Sequence, residues 1–529
     1  MSETGEKYIL AYDHGTSGVK TAIVSTKGKL MGYSVQEVSM YYPEQGGVEQ
    51  DPEEWWAALK TTTKNLLAKR LVDPKDIVAC VTANQMDGTI PIDESGNVLH
   101  RCILWMDTRG APMVKKVMKG LIEISGWGIS NIFRWLPITG GAPGLSGKDI
   151  FGHILYLKEK KPEIYTATYK FLDCKDYLTY KLTGKIVTSY DCGFLSWLVN
   201  TKDPNNMHYD KKLARKAKID IAKLPDLRPS TEIVDTILPE LAAEFGLSEQ
   251  TRVVLGSGDM AAAAVGSGAV LDGQAHICIG SSSWLVCHIP DRKIDIINMI
   301  ASIPSGIPGR YMVLGEQEAA GINLTWLRDN LLYHKDALLA SEQVPDIYKI
   351  FDKLVMEVEP GSHKLIYTPW LFGERTPIED HTVRGGLFNL SLDIDRRHLI
   401  RAIFEGVAYN MKWLLEKMEA LLKTKLEPIN MIGGGASSDI WCQIFADILD
   451  RKVKQVYAAK EANAVGAALI ASVALGYLKW EDIPSCMDFK NEYSPNPNNR
   501  RIYDELFTEF VGIYKQNKEM YKRLNKLGH

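Results

Sequence analysis

Within eight positions near its start, Asp13-His14-Gly15-Thr16-Ser17-Gly18-Val19-Lys20, the chain places an acid, two glycines, two hydroxyls and a lysine. Backbone N–H groups freed by glycine, with hydroxyl donors and a cation beside them, suit a phosphate group. A carboxylate in the same turn suits a divalent cation, held directly or through its waters. The plainer alternative is a glycine turn joining two strands, and the stretch alone does not choose between them.

Other stretches carry comparable chemistry. In Gly256-Ser257-Gly258-Asp259 an acid ends a strand ahead of a run of small residues, where open α/β folds bind ligands. Asp259 could equally cap the next helix. Gln85-Met86-Asp87 offers an amide and a carboxylate that can hydrogen-bond the vicinal hydroxyls of a sugar, although Asp87-Gly88 is also an ordinary turn pair. Gly433-Gly434-Gly435-Ala436 lets a flat ring or a phosphate approach the backbone, while Ser437 or Ser438 could simply cap a helix. The stretch from Gly141 to Lys148 imitates a P-loop but fails as one. Ala142 stands where the first glycine belongs, and Asp149 replaces the Ser or Thr that would bind magnesium. It reads as a flexible glycine loop.

These residues need elements to aim them. Residues 8–24 read as a hairpin around the first loop, 30–35 as a third strand and 77–82 as a strand leading into Gln85. Asp51 caps a helix opened by Pro52, with Glu53 and Glu54 in its first turn. Residues 140–250 read as mainly helical, 252–255 as a strand and 260–264 as the start of a small-residue helix. Then 275–279 and 283–287 repeat the opening layout of strand, glycine with hydroxyls, strand, around Gly280-Ser281-Ser282-Ser283. That repeat suggests an internal duplication with one phosphate loop per half; two short loops could also match by chance. Further helices are expected at 321–330, 438–449, 463–475 and 500–526, the last packed on its own domain. Alternating strands and helices give an α/β class.

With 529 residues, the chain should form about two to four domains. A net charge of −3 leaves no overall electrostatic footprint for nucleic acid. Residues 1–7 lack the basic and apolar regions of a secretion leader, and no apolar run is long enough for a bilayer. Eight scattered cysteines without a C-x-x-C pair read as reduced core thiols of a cytoplasmic protein.

Taken together and in order, these stretches resemble the FGGY carbohydrate kinases of the actin-like ATPase superfamily, over residues 8–476. Asp13-His14-Gly15-Thr16-Ser17 resembles the first phosphate loop, Gly280-Ser281-Ser282 the second, and Gly433-Gly434-Gly435-Ala436 the adenosine loop. Arg384-Gly385-Gly386-Leu387-Phe388 through His398-Leu399-Ile400-Arg401-Ala402-Ile403-Phe404-Glu405-Gly406 resembles the family signature, apart from Asn389 where a glycine is usual. Gly373-Glu374-Arg375-Thr376-Pro377, the run from Lys175-Asp176-Tyr177-Leu178 to Gly184, and Gly256-Ser257-Gly258-Asp259 are similar to xylulokinases. Asp87 and Met260 depart from the histidine and asparagine common there.

The resemblance implies two actin-like (ribonuclease H-like) α/β domains, residues 1–252 and 253–529, flanking a catalytic cleft. It implies ATP-dependent phosphorylation of a sugar or polyol hydroxyl, first a ketopentose such as D-xylulose, with ribulose, gluconate, glycerol or a tetritol as alternatives. Asp259 would be the general base and Asp13 would position Mg²⁺. Thr16, Ser17, Lys20, Gly280 and Ser281 would face the phosphates; Gly321, Thr325, Gly435, Ala436 and Asp439 would surround the nucleotide. Gln85, Met86, Asp87, Trp105 and Met260 would join Asp259 around the acceptor, with a core position as the alternative for Trp105. The expected partner is a small molecule rather than nucleic acid or membrane, and a homodimer stays open. An actin-like chaperone or filament protein would share the loops without the signature. A non-catalytic sugar-binding regulator would have lost Asp13 or Asp259.

Overall fold

The computed structural model describes residues 5–124, 126–331 and 346–525. Its opening hairpin forms as the alternation predicts. β1 (Tyr8–Gly15) and β2 (Gly18–Ser25) pair antiparallel, in a register that sets Asp13 opposite Lys20. β3 (Leu30–Glu37) extends the pair. α1 (Pro52–Leu67) starts where its signals stand: the Asp51 carboxylate accepts from the Glu53 N–H at 3.0 Å, ahead of Pro52 and two acids.

β4 (Ile77–Asn84) runs parallel to β1. Beyond it lie α2 (Ile150–Lys160) and α3 (Cys174–Thr183). Residues 140–250 are less uniformly helical than expected. Short strands such as Val187–Ser189 and Asp226–Arg228 pair with each other outside the main sheet, a local pairing that no long periodic run announces. β5 (Ile233–Thr236) and β6 (Arg252–Gly258) then close the first sheet in the order β5-β6-β4-β1-β2-β3. Because β6 belongs to this sheet, the division between the two sheets falls after Gly258, beyond the boundary expected at 252/253. α4 (Asp259–Gly266) follows without a break, so Asp259 is its first residue.

The second half repeats the plan. β7 (Ala275–Ile279), β8 (Ser283–Ile289), β9 (Ile294–Asp295), β10 (Ile300–Pro304), β11 (Tyr311–Gln317), β12 (Ile429–Ile432), β13 (Val453–Val456) and β14 (Phe489–Tyr493) form one sheet, ordered β9-β10-β11-β8-β7-β12-β13-β14. Its strands β11-β8-β7-β12-β13-β14 match β3-β2-β1-β4-β6-β5 in orientation at every step: antiparallel, antiparallel, parallel, parallel, antiparallel. The duplication suggested by two short loops therefore extends to whole sheets. The differences are the chain order of the last edge strand and the two strands, β9 and β10, that the second sheet adds beyond β11.

The helices of this half include α5 (Ile322–Asn330), α6 (Arg396–Leu422), α7 (Asp439–Leu449), α8 (Ala462–Ala474) and α9 (Arg500–Leu524). Two helices, α4 and α8, cross between the halves. α4 leaves the first sheet, yet Ala261, Ala263 and Ala264 pack on Val286, Met312, Cys278 and Ile432 of the second. α8 leaves the second sheet, and its alanines pack on Ile9, Ala11, Val81 and Ala83 of the first. Glycines permit the crossing: a Cβ on Gly266 would lie 1.8 Å from the Ala462 carbonyl oxygen, and one on Gly466 1.8 Å from that of Ala262. α9 packs on α6 through Tyr503, Phe507 and Phe510, as expected of a helix serving its own domain. Lys526, its expected end, lies outside the described residues. Asn389 adopts φ +67°, a left-handed turn that asparagine tolerates better than most side chains, which accounts for the departure from glycine.

Candidate active site

Three parallel strands end at one edge of the first sheet. Asp13 on β1 registers with Ala83 on β4, and Ala83 with Ser257 on β6, so Asp13, Gln85 and Asp259 all emerge at that edge. With neighbouring strands about 4.8 Å apart, the two outer acids start roughly 10 Å from each other. Gly256 makes the last bend: at φ +72° its Cβ would lie 1.9 Å from the Thr82 carbonyl oxygen, so a side chain there would push β6 off β4.

Asp13 is buried, and its charge is met from two directions. Lys20 Nζ stands 3.6 Å from its Oδ2, and Asn463 Nδ2, on α8 of the other half, donates to its Oδ1 at 3.5 Å. Lys20 also donates to the Lys460 carbonyl at 3.0 Å. Burial still pushes the Asp13 carboxyl above its ordinary value, with Lys20 pulling the other way. His14 beside it is buried against the Trp55 ring, 4.3 Å between centroids; burial lowers its pKa to about 3, so it stays neutral.

Two of the residues expected around the acceptor, Gln85 and Trp105, come together in a network. The Thr16 hydroxyl donates to Gln85 Oε1 at 2.9 Å and accepts from the Trp105 indole N–H at 3.1 Å. Gln50, which the motifs had not suggested, links Gln85 Nε2 at 3.0 Å to the Thr16 carbonyl at 2.7 Å. Thr16 thus joins the loop after β1 to Gln85 and Trp105, while Ser17 is exposed. Trp105 is 40% exposed, which removes the core alternative. Met86 lies against Gly258, next to Asp259. Asp87 turns left-handed at φ +63°, and its Oδ1 is closed to solvent without a hydrogen-bond partner.

Asp259 lies at the start of α4, its Oδ1 accepting from the Met260 N–H at 2.7 Å. Burial pushes its pKa to about 7, and the charges of Asp13, Glu316 and Asp191 add to the rise. Asp191 was not evident in the sequence: its Oδ2 accepts the Gly258 N–H at 2.7 Å, fixing the turn that carries Asp259. Behind it, fully buried Lys175 pairs with Asp176 at 2.7 Å and bears on Asp191 electrostatically. Glu316 on β11 brings the second half to the site; it pairs with Arg375, which also holds Glu318 at 3.0 Å. The failed P-loop finds its use here: Asp149 caps α2, accepting from Gly152 at 3.0 Å and Gly144 at 3.2 Å, and takes the Trp197 indole N–H at 2.6 Å.

On the second sheet the loop at Gly280 is stitched to the start of α5. The Ser281 carbonyl accepts from Ala320 at 2.8 Å and Ile322 at 3.1 Å, and the Gly280 carbonyl from Gly321 at 2.9 Å. A Cβ on Gly321 would come within 2.6 Å of the Gly280 oxygen. Gly433 and Gly435 pack as closely on Ile279, so Gly280, Gly321, Gly435 and Ala436 share one corner, with Gly434 open to solvent beside them. Thr325 stands half-buried on α5, bonded to the Tyr348 hydroxyl at 3.1 Å. Ser438 caps α7, accepting from Trp441 at 3.2 Å. Asp439 is exposed and already engaged, by Lys490 at 2.6 Å and Gln455 at 3.0 Å.

Comparisons with known proteins cover nearly the whole chain. The model of the FGGY family of carbohydrate kinases, N-terminal domain, matches residues 8–266, and that of the C-terminal domain matches residues 275–475. A xylulose kinase of Bacillus subtilis (strain 168) is 29% identical over 527 residues, covering 97% of this chain and 98% of that protein. Among solved structures, a gluconate kinase from Lactobacillus acidophilus superposes with TM-score 0.83 at 24% identity, covering 98% of this chain and 100% of that one. A ligand-bound xylulose kinase from the same organism gives the same figures.

Proposed function

The chain belongs to the FGGY family of carbohydrate kinases, and from that premise we propose that it transfers the γ-phosphoryl group of ATP to a hydroxyl of a ketopentose such as D-xylulose, giving the 5-phosphate. The observation that carries this reading is the pairing at one sheet edge of Asp13, beside a glycine-hydroxyl loop, with Asp259, whose carboxyl titrates near neutrality.

Asp259 accepts the proton of the attacking hydroxyl and aims its oxygen at the phosphorus. A carboxyl raised to about 7 is a stronger base than an ordinary one, so orientation and basicity act together. Lys20 and the N–H groups of the first loop meet the transferring group; Gly280 and Ser281 hold the remaining phosphates, and Gly321, Gly435 and Ala436 flank the nucleotide. Mg²⁺ characteristically keeps several waters and takes one or two carboxylates plus phosphate oxygens. Asp13 alone fits that demand, and among the described residues no cluster of three His, Cys, Asp or Glu side chains forms a fuller cage. Bound there with the nucleotide, the ion would neutralise charge on the β- and γ-phosphates. Gln85, Met86, Asp87, Trp105 and Met260 line the acceptor.

Asp259→Ala tests the assignment. Its phosphoryl-transfer rate should fall by orders of magnitude in an ADP-release assay while ATP still binds; near-normal turnover would remove Asp259 as the base.

A further inference from the structure

We propose that Arg375 is a catalytic residue: as the halves close, its guanidinium leaves Glu316 and Glu318 and grips the transferring phosphoryl group. The proposal rests on the kinase reading above and adds to it a cation supplied by the second half.

Placement is the first observation. β11 ends where β8 begins, with Gln317 registered on Ser283, the residue that closes the Gly280 loop. The Ser283 hydroxyl donates to Gln317 Oε1 at 3.2 Å. Glu316 and Glu318 flank Gln317, and two residues beyond them the Ala320 N–H reaches the Ser281 carbonyl. Arg375 donates to both glutamates, through Nη1 to Glu316 and through Nε to Glu318 at 3.1 Å. Its guanidinium therefore stands at the sheet edge that carries the Gly280 loop. The charge of Glu316 also bears on Asp259, which sets the same pair within electrostatic range of the proposed base.

The second observation is that the side chain is not needed to hold its own loop. Buried Glu374 does that. Its Oε1 accepts from the Arg375 N–H at 2.8 Å and from the Glu318 N–H at 3.1 Å. Its main chain pairs with that of Asp380 in both directions at 3.0 Å, and the Thr376 hydroxyl bonds the Glu316 carbonyl. The Arg375 side chain, by contrast, is 41% exposed, where an ion pair adds little to stability. A rigid backbone thus presents a guanidinium whose head is open to the cleft. A fork that fits carboxylate oxygens fits phosphate oxygens as well. During transfer the equatorial oxygens of the phosphoryl group carry the charge, so a cation that meets them only then lowers the barrier. Lys20 approaches from the first half, and Arg375 meets the group from the second.

Arg375→Gln and Arg375→Lys test this, with Glu318→Gln as the comparison. The assay is ADP release with whichever of D-xylulose, D-ribulose, glycerol, erythritol and D-gluconate the wild type turns over fastest. Arg375→Gln should lose about 100-fold or more in kcat with little change in the KM for ATP. Arg375→Lys keeps the charge without the fork and should recover only part of that loss. Glu318→Gln frees one side of the guanidinium and should turn over close to the wild-type rate. The second readout is affinity by calorimetry, for ADP alone and for ADP with Mg²⁺, aluminium fluoride and the same acceptor, a mimic of the group in transfer. Arg375→Gln should bind ADP as the wild type does and lose the extra affinity for the mimic. A near-normal kcat, or equal losses for ADP and the mimic, would overturn the proposal and leave the kinase reading intact. So would equal falls in rate for Arg375→Gln and Glu318→Gln, which would make the ion pair structural. If Arg375→Gln does not fold, Arg375→Lys decides by the same two readouts. No ADP release by the wild type with any of the five compounds would fail the kinase reading and the proposal with it.

Discussion

Asp259 owes its chemistry to its surroundings more than to its place in the sequence. A carboxyl raised to about 7 is mostly protonated in mild acid, and a general base must be deprotonated to act. The turnover rate should therefore fall as pH drops through about 7 and level off above it. Asp191 contributes a negative charge to that rise and an acceptor to the Gly258 N–H. Asp191→Asn keeps an oxygen for the N–H but loses the charge, so the midpoint of the pH–rate profile should move down; an unchanged midpoint would confine Asp191 to holding the turn. Asp13 and Asp259 were legible in the sequence because a strand, a glycine and an acid follow one another there. Asp191, Glu316 and Gln50 were not, because each reaches the cleft from a segment whose local sequence looks ordinary. Asp149 was read correctly as unfit for a P-loop, but nothing local could tell that it caps α2 beside Asp87.

At the scale of elements, boundaries were the easy part. Asp51 and Ser438 cap helices where their spacing said they would, and the hairpin of β1 and β2 turns at Thr16-Ser17 between the paired Gly15 and Gly18. What the small residues of α4 and α8 were for could not be read, since each helix packs on the sheet of the other half and its partner lies about half a chain away. Alanine and glycine runs there are the condition for close crossing. Gly466→Ala tests this, because the substitution sets two effects against each other. Alanine favours an isolated helix over glycine by about 1 kcal/mol. Here its Cβ would fall 1.8 Å from the Ala262 oxygen, so the helices must separate, an overpacking that costs roughly 1–3 kcal/mol. The denaturation midpoint should drop, and turnover with it, because Asp259 opens one of these helices and Asn463 sits near the start of the other. A raised midpoint would mean that the crossing has room to spare.

The whole molecule explains why the crossing matters. In the proposed assignment the Asp13 loop and Asp259 stand on the first sheet and the helix that leaves it, and the Gly280 and Gly433 loops on its repeat, so the reaction would need both halves. Bonds between the halves include Lys20 to the Lys460 carbonyl, Tyr311 to the Thr201 carbonyl at 2.6 Å, and Arg292 to Thr201 at 2.9 Å. The acceptor wall, by contrast, is still open enough to leave the Trp105 side chain 40% exposed. A phosphoryl group transferred in that state would meet water as readily as a sugar. Rotation of one half against the other about α4 and α8 would cover Trp105, bring Gly280 toward Asp13 and exclude water before transfer. Small-angle scattering should therefore show a smaller radius of gyration with acceptor and a non-hydrolysable ATP analogue together than with either alone. If both ligands bind and the radius does not change, the halves are already in their working arrangement and protection from water must come from the local loops instead.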